Sequence, residues 1–226
     1  MRVSAIVLAA GKGKRFKSRV SKPLAKINAR PVLVYSLGVL SAHPLIKEII
    51  VVAGRDNFKA VSAVIKEYKI PKVIKVVLGG LRRQDSVRNG LGHINKNIGL
   101  ILIHDAARPF IDKKMVSRII KAAGSSGAAI AAVAMKSTVK KAKNNLFVEK
   151  TIPRLGLWEI QTPQVFRRDL ILKAYRRYSK ADVTDDAMLI EKLGSKVKIT
   201  QGSYCNIKIT TPEDLALAAA IAAAAR

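Results

Sequence analysis

Apolar residues recur along the chain in short Val- and Ile-rich runs: "SAIVLAA" (4–10), "KEIIVVA" (47–53), "KVIKVVLGG" (72–80), "GLILIHD" (99–105) and "AAIAAVAM" (128–135). Between them lie stretches whose apolar positions repeat every three or four residues. Such alternation predicts a mostly parallel sheet with helices on both faces, since strands buried on both sides need no polar alternation. The helical stretches are "PVLVYSLGVLSAH", "QDSVRNGLGHI", "DKKMVSRIIKAAGSS", "RRDLILKAYRRY", "TDDAMLIEKLG" and "TPEDLALAAAIAAAA". Several open on Asp, Ser or Thr, the residues that cap free amide hydrogens. In the last, Thr211 can cap, Pro212 starts the helix, and Glu213 and Asp214 suit its positive end. The pattern predicts one α/β domain over residues 1–226.

Residues 134–153, "AMKSTVKKAKNNLFVEKTIP", break the pattern. They alternate irregularly around a Lys-Asn-Asn turn and read as a hairpin with too few large apolar residues to bury either face. An isolated hairpin is marginal in water. Two readings stand: a surface insertion, or a projecting arm completed by a second copy of the chain.

No apolar run approaches the roughly 20 residues of a membrane span, and the N-terminus enters a strand pattern too soon for a signal peptide. A cytoplasmic protein without a membrane partner is expected. The single cysteine, Cys205, excludes an internal disulfide framework; it reads as a small buried side chain. The formal net charge of +27, from 42 Lys and Arg against 15 Asp and Glu, calls for anionic ligands. The cations are dispersed and only 5% of residues are aromatic, which argues against a stacking platform for single-stranded nucleic acid. No specific nucleic-acid partner is expected, although a basic nucleic-acid-binding protein stays open as the alternative outside enzymes.

"VLAAGKGKRF" (7–16) runs a strand end into glycines and cations, a means of presenting backbone amides and positive charge to phosphate. It is neither a dinucleotide fingerprint, since Phe16 stands at the third glycine position, nor a P-loop. In "GGLRRQDSVRNGL" (79–91), Gly79 and Gly80 suit close backbone approach to a base or ribose, and Asp85 and Ser86 sit near a helix start. "ILIHDAARPF" (101–110) places Asp105 at the carboxyl edge of a strand, where open α/β sheets bind ligands. Asp105 could hold Mg²⁺ or a sugar hydroxyl, and Arg108 an anion. His104 reads as packing or orienting the loop, and no second histidine stands at zinc-ligand spacing.

In order and over nearly the whole chain, "LAAGKGKRF…SKPL", "GGLRRQDSVRNGL", "HDAARPF", "TIPRLGLWEIQTPQVF", "VTDDAMLIEKLG" and "NIKITTPEDLALA" resemble the 2-C-methyl-D-erythritol 4-phosphate cytidylyltransferases. The resemblance implies a Rossmann-like fold and a homodimer whose projecting arm spans about 134–153. It implies transfer of CMP from CTP to methylerythritol phosphate with release of pyrophosphate, in the non-mevalonate route to isoprenoids. A ribitol-phosphate or related polyol-phosphate cytidylyltransferase is the alternative among enzymes. Carried over by motif, Arg15 and Lys22 neutralise the triphosphate and Lys208 reaches the α-phosphate or the incoming phosphate. CTP would be held by Leu8, Ala9, Ala10, Gly11, Gly13, Gly79, Gly80, Asp85, Ser86, Asp105 and Ala106. The sugar phosphate would be held by Asp105, Arg108, Thr138, Arg154, Thr162, Thr184 and Lys208. Mg²⁺ or another divalent cation would be bound mainly by substrate phosphates, with Asp105 its one candidate protein ligand. The family usually has Pro where Leu8 stands and often Arg at Lys14; neither departure removes a side-chain role.

Overall fold

The computed structural model describes residues 1–11, 16 and 20–224. Seven strands form the central sheet: β1 (Val3–Ala9), β4 (Ile46–Ala53), β5 (Val73–Leu78), β6 (Leu100–Asp105), β7 (Ala128–Ala134), β10 (Trp158–Arg167) and β11 (Lys198–Gln201), in the order β11-β7-β10-β6-β1-β4-β5. Only β10 runs against its neighbours. Two short pairs stand apart, β2 (Lys26–Ile27) with β3 (Arg30–Pro31) and β8 (Val139–Ala142) with β9 (Val148–Ile152).

Period two along β1 explains the layering. Val3, Ala5 and Val7 face one core with α1 (Val32–Ser41), α2 (Phe58–Glu67) and α4 (Lys113–Ser126). Ile6 faces the other, with α3 (Arg83–Leu91), α5 (Arg168–Arg177) and α6 (Ala187–Lys192). Leu33, Leu37, Leu40, Ile119 and Ile120 are fully buried on the first side, each contributing about 1.5–3 kcal/mol of transfer free energy. The alanine-rich α7 (Pro212–Ala224) lies over a smaller cluster of Phe16, Ile27, Val32 and Ile209. Among the described residues no helix is long and apolar enough to cross a membrane.

Every strand and helix predicted from the pattern forms. The hairpin forms as well, turning through Lys143–Asn145 with Val139 opposite Ile152. Its exposed tip carries Leu146, Phe147 and Val148. One expectation fails: Cys205 is exposed, not buried. Its amide bonds the Ser203 hydroxyl in a tight turn, which points Tyr204 and Cys205 outward and turns Asn206 inward instead.

Candidate active site

From β1 the chain builds outward through β4 and β5, then returns to lay β6 on the other side of β1. The carboxyl ends of β1 and β6 are therefore a topological switch point, where connections diverge and leave a crevice. Leu8, Ala9, Ala10 and Gly11 line it from β1 and its exit, Asp105 from the end of β6, and Lys22, Gly80, Ser86 and Lys208 from surrounding loops and α3; its volume is about 280 Å³. A second cleft of about 570 Å³ opens beside β10, lined by Arg108, Thr162, Gln164, Thr184 and Asp185. The two share one wall: Arg83, Asp105 and Lys208.

That wall is a row of alternating charges. Lys208 Nζ donates to Asp105 Oδ2 at 2.6 Å, Arg83 Nε to Asp105 Oδ1 at 3.3 Å, and Arg83 Nη1 to Asp186 Oδ2 at 2.7 Å. The Tyr175 hydroxyl completes the row on Asp186 Oδ1, 2.5 Å away. Burial alone would push the Asp105 carboxyl up, but Arg83 and Lys208 outweigh it and hold the group well below the usual carboxylate range. Burial likewise opposes the charge on Arg83, and Asp186 with Asp105 more than restores it. Asp105 is therefore an anion near pH 7.

Behind Asp105 the loop is pinned by hydrogen bonds whose directions can be deduced. His104 is fully buried, and burial lowers its pKa to about 4, so its ring is neutral near pH 7. Its Nε2 faces the carbonyl of Arg108 at 3.0 Å and must carry the hydrogen, because a carbonyl only accepts. Nδ1 then accepts from the Thr162 hydroxyl at 3.0 Å, which in turn accepts the Asp105 amide at 3.0 Å. The Arg108 guanidinium donates to the carbonyls of Asn206, 2.7 Å, and Ile160, 3.3 Å. It thereby ties the second cleft to β10 and to the segment leading into Lys208.

The glycines are required by packing within the protein itself. A Cβ on Gly79 would meet Ala10 Cβ at 2.5 Å and Ser86 Oγ at 2.8 Å, and one on Gly80 would collide with Asp85. The protein's own close packing already requires both. Asp85 accepts the Arg82 amide at 3.2 Å and pairs with the Arg82 guanidinium at 2.9 Å, stabilising the start of α3. Ser86 Oγ accepts the Gly80 amide at 3.1 Å.

Of the residues predicted from sequence, Leu8, Ala9, Ala10, Gly11, Lys22, Gly80, Ser86, Asp105 and Lys208 meet at the first cleft. Asp105, Arg108, Thr162, Thr184 and Lys208 meet at the second. Gly79 lines a side recess, Ala106 is buried with its amide on the Leu8 carbonyl, and Asp85 supports the wall from behind. Thr138 and Arg154 are exposed on the arm, where Arg154 donates to the Lys136 carbonyl. Gly13 and Arg15 lie outside the described residues. Sequence reasoning missed Arg83, Asp186 and Gln164. The adjacent Asp185 and Asp186, in a chain with only 15 acidic residues, were the available signal.

The model of one protein family, 2-C-methyl-D-erythritol 4-phosphate cytidylyltransferase, matches residues 3–224. The chain belongs to this family. The cytidylyltransferase of Dehalococcoides mccartyi is 46% identical over 217 residues, covering 96% of this chain and 94% of its own. That of Alkaliphilus oremlandii is 44% identical over 220 residues, covering 96% and 93%. Among solved structures, 4-diphosphocytidyl-2C-methyl-D-erythritol synthase from Anaerococcus prevotii superposes with a TM-score of 0.85 at 34% identity, covering 98% of this chain and 96% of that one. The cytidylyltransferase transfers CMP from CTP to 2-C-methyl-D-erythritol 4-phosphate, a step of the non-mevalonate route to isoprenoids. Among the described residues no three His, Cys, Asp or Glu side chains gather to hold a metal. The hard oxygens of Asp105 suit a cation that keeps most of its ligands from water and phosphate.

Proposed function

We propose that the two clefts divide the substrates of this transfer, with CTP beside Leu8–Gly11, Lys22 and Ser86, and methylerythritol phosphate beside Thr162, Thr184 and Arg108. The observation that carries this reading is the shared wall: Asp105 and Lys208 border both clefts, so the two phosphates meet there. The attacking group is a phosphate monoester, mostly ionised near pH 7 because its second pKa is about 6. No general base is needed, which agrees with a buried histidine whose ring nitrogens are both engaged.

The barrier is one of charge and alignment. Arg15 and Lys22 neutralise the triphosphate, amides of the loop from Leu8 to Gly13 wrap it, and Lys208 leaves Asp105 to meet the reacting phosphates. Gly80 and Ser86 face the base and ribose, with Gly79, Asp85 and Ala106 holding that wall in place. A divalent cation such as Mg²⁺ would be held mainly by the substrate phosphates, with Asp105 the protein residue able to contribute an oxygen, and would supply further charge neutralisation. Thr138 and Arg154 complete the sugar-phosphate cleft of a second subunit, carried there by the arm. The enzyme works in the cytoplasm as a homodimer.

Substrate-specific kinetics test the division. Ser86→Ala should raise KM for CTP several-fold and leave KM for methylerythritol phosphate unchanged, and Thr184→Val should do the reverse. A Thr184→Val enzyme altered only toward CTP would overturn the assignment.

A further inference from the structure

Asn57 follows β4, outside the stretches that the reaction uses, yet its side chain is only 6% exposed and joins three segments of chain. Its Oδ1 accepts the Gly54 amide at 2.8 Å. Its Nδ2 donates to the carbonyl of Ala9 at 3.0 Å and to the Ser21 hydroxyl at 3.3 Å. The amide orientation is fixed by chemistry, since the Gly54 N–H can only donate and the Ala9 carbonyl can only accept.

The two groups held by Nδ2 lie on either side of the cationic stretch of the sequence. Ala9 is the last residue of β1, where the chain leaves the sheet for Ala10 and Gly11. Ser21 is where it returns: its carbonyl accepts the amides of Leu24, 2.8 Å, and Ala25, 3.1 Å, opening the turn that sets Lys22 on the first cleft. One buried side chain thus fixes the spacing between the departing backbone and the returning lysine.

We infer that Asn57 is a positioning residue for cytidylyl transfer, acting through Ala9 and Ser21 to hold Lys22 and the Ala10–Gly11 backbone in register with the triphosphate. The inference rests on the placement of CTP in the first cleft. Misplacement of a reacting geometry by an ångström, from a change that never touches substrate, costs up to about 100-fold in rate. The Gly54 contact is a local turn cap and can be separated from this role. Asn57→Asp keeps an acceptor for Gly54 but has no hydrogen for Ala9 or Ser21. Ser21→Ala removes only the Ser21 contact.

The experiment measures pyrophosphate release at saturating CTP and methylerythritol phosphate, together with urea unfolding midpoints, for Asn57→Asp, Ser21→Ala, the double variant and Lys22→Ala. Asn57→Asp should lower kcat about 10- to 100-fold. Ser21→Ala should lower it about five-fold, the worth of one hydrogen bond, with its midpoint unchanged, and the double variant should be no worse than Asn57→Asp alone. An Asn57 with a merely structural role would lower the midpoint and leave kcat per folded molecule at the wild-type value. That result, or losses that multiply in the double variant, would overturn the inference while Lys22→Ala remained inactive. A fully active Lys22→Ala enzyme would instead overturn the placement of CTP, and the inference with it.

Discussion

The Lys208 ammonium rests on the Asp105 carboxylate, Nζ to Oδ2 2.6 Å, at the line where two clefts meet. Asp105 thus holds at the border of both clefts the cation that the proposed mechanism sends to the reacting phosphates. Asp105→Asn keeps the shape but removes the charge that holds Lys208, and kcat should fall about 10- to 100-fold. Steady-state rates beside circular dichroism check this; an Asn variant with wild-type kcat would remove Asp105 from the reacting line.

Acid should weaken the fold through His104. Its pKa in the folded protein is about 4 because of burial, against about 6.5 unfolded, so the unfolded chain binds more protons between those values. Stability is therefore complete above about pH 6.5 and declines as pH falls toward 4, by about 3 kcal/mol for this group. Burial lowers His43 too, in the same sense. Urea midpoints between pH 7 and 4.5 should fall, and His104→Gln, which still offers a donor to Arg108 and an acceptor to Thr162, should flatten the slope.

Lys22→Ala and Arg15→Ala should each reduce turnover about 100- to 1,000-fold, the usual worth of a group acting on charge in the transition state. Unfolding midpoints should stay close to wild type. Lys14→Ala should cost far less. Pyrophosphate release at saturating substrates checks the three; a double Arg15→Ala, Lys22→Ala enzyme with near-normal turnover would exclude both.

The arm makes a distinct prediction. Leu155 is 96% exposed beside Arg154, and Phe147 at the tip 72%, apolar surface that the second copy proposed above would cover. If Arg154 serves the partner's site, mixing inactive Arg154→Ala with inactive Lys22→Ala under subunit exchange rebuilds one intact site in each mixed dimer. About half of the dimers are then mixed, and recovery approaches about a quarter of normal activity. Exchange verified by mass spectrometry without recovery would place Arg154 elsewhere.

The sheet was legible because its central strands are buried on both faces and therefore carry unbroken apolar runs. β11, with Lys198 and Gln201 exposed at a sheet edge, gave no such run, and β10 hides its apolar half behind the polar residues that serve the cleft. α2 follows β4 through a short turn and went unread, although Phe58, Val61 and Ile65 recur at helical spacing; Val61 alone of its residues is buried. In the site, residues contributed by motif were readable, whereas Arg83 and Asn57 act through partners far off in sequence: Arg83 is 103 positions from Asp186, Asn57 48 from Ala9. A sequence does not reveal that Ala10 and Asp85 already crowd the two glycines, so their packing role beside the ligand-side one was not legible.

Reversal of β10 has a consequence for how substitutions act. In the parallel strands the rim of the crevice is reached at the end of each strand, but β10 runs the other way and meets it part-way along its length, with Gln164 level with Ile103 and Thr162 beside Asp105. Everything this strand brings to the rim comes from the stretch just after the hairpin, in one continuous passage of chain, and the lining from β1 and α3 belongs to other passages. If the clefts divide the substrates as proposed, substitutions in that passage would bear on the acceptor's cleft while the β1 lining of the first cleft stayed as it is.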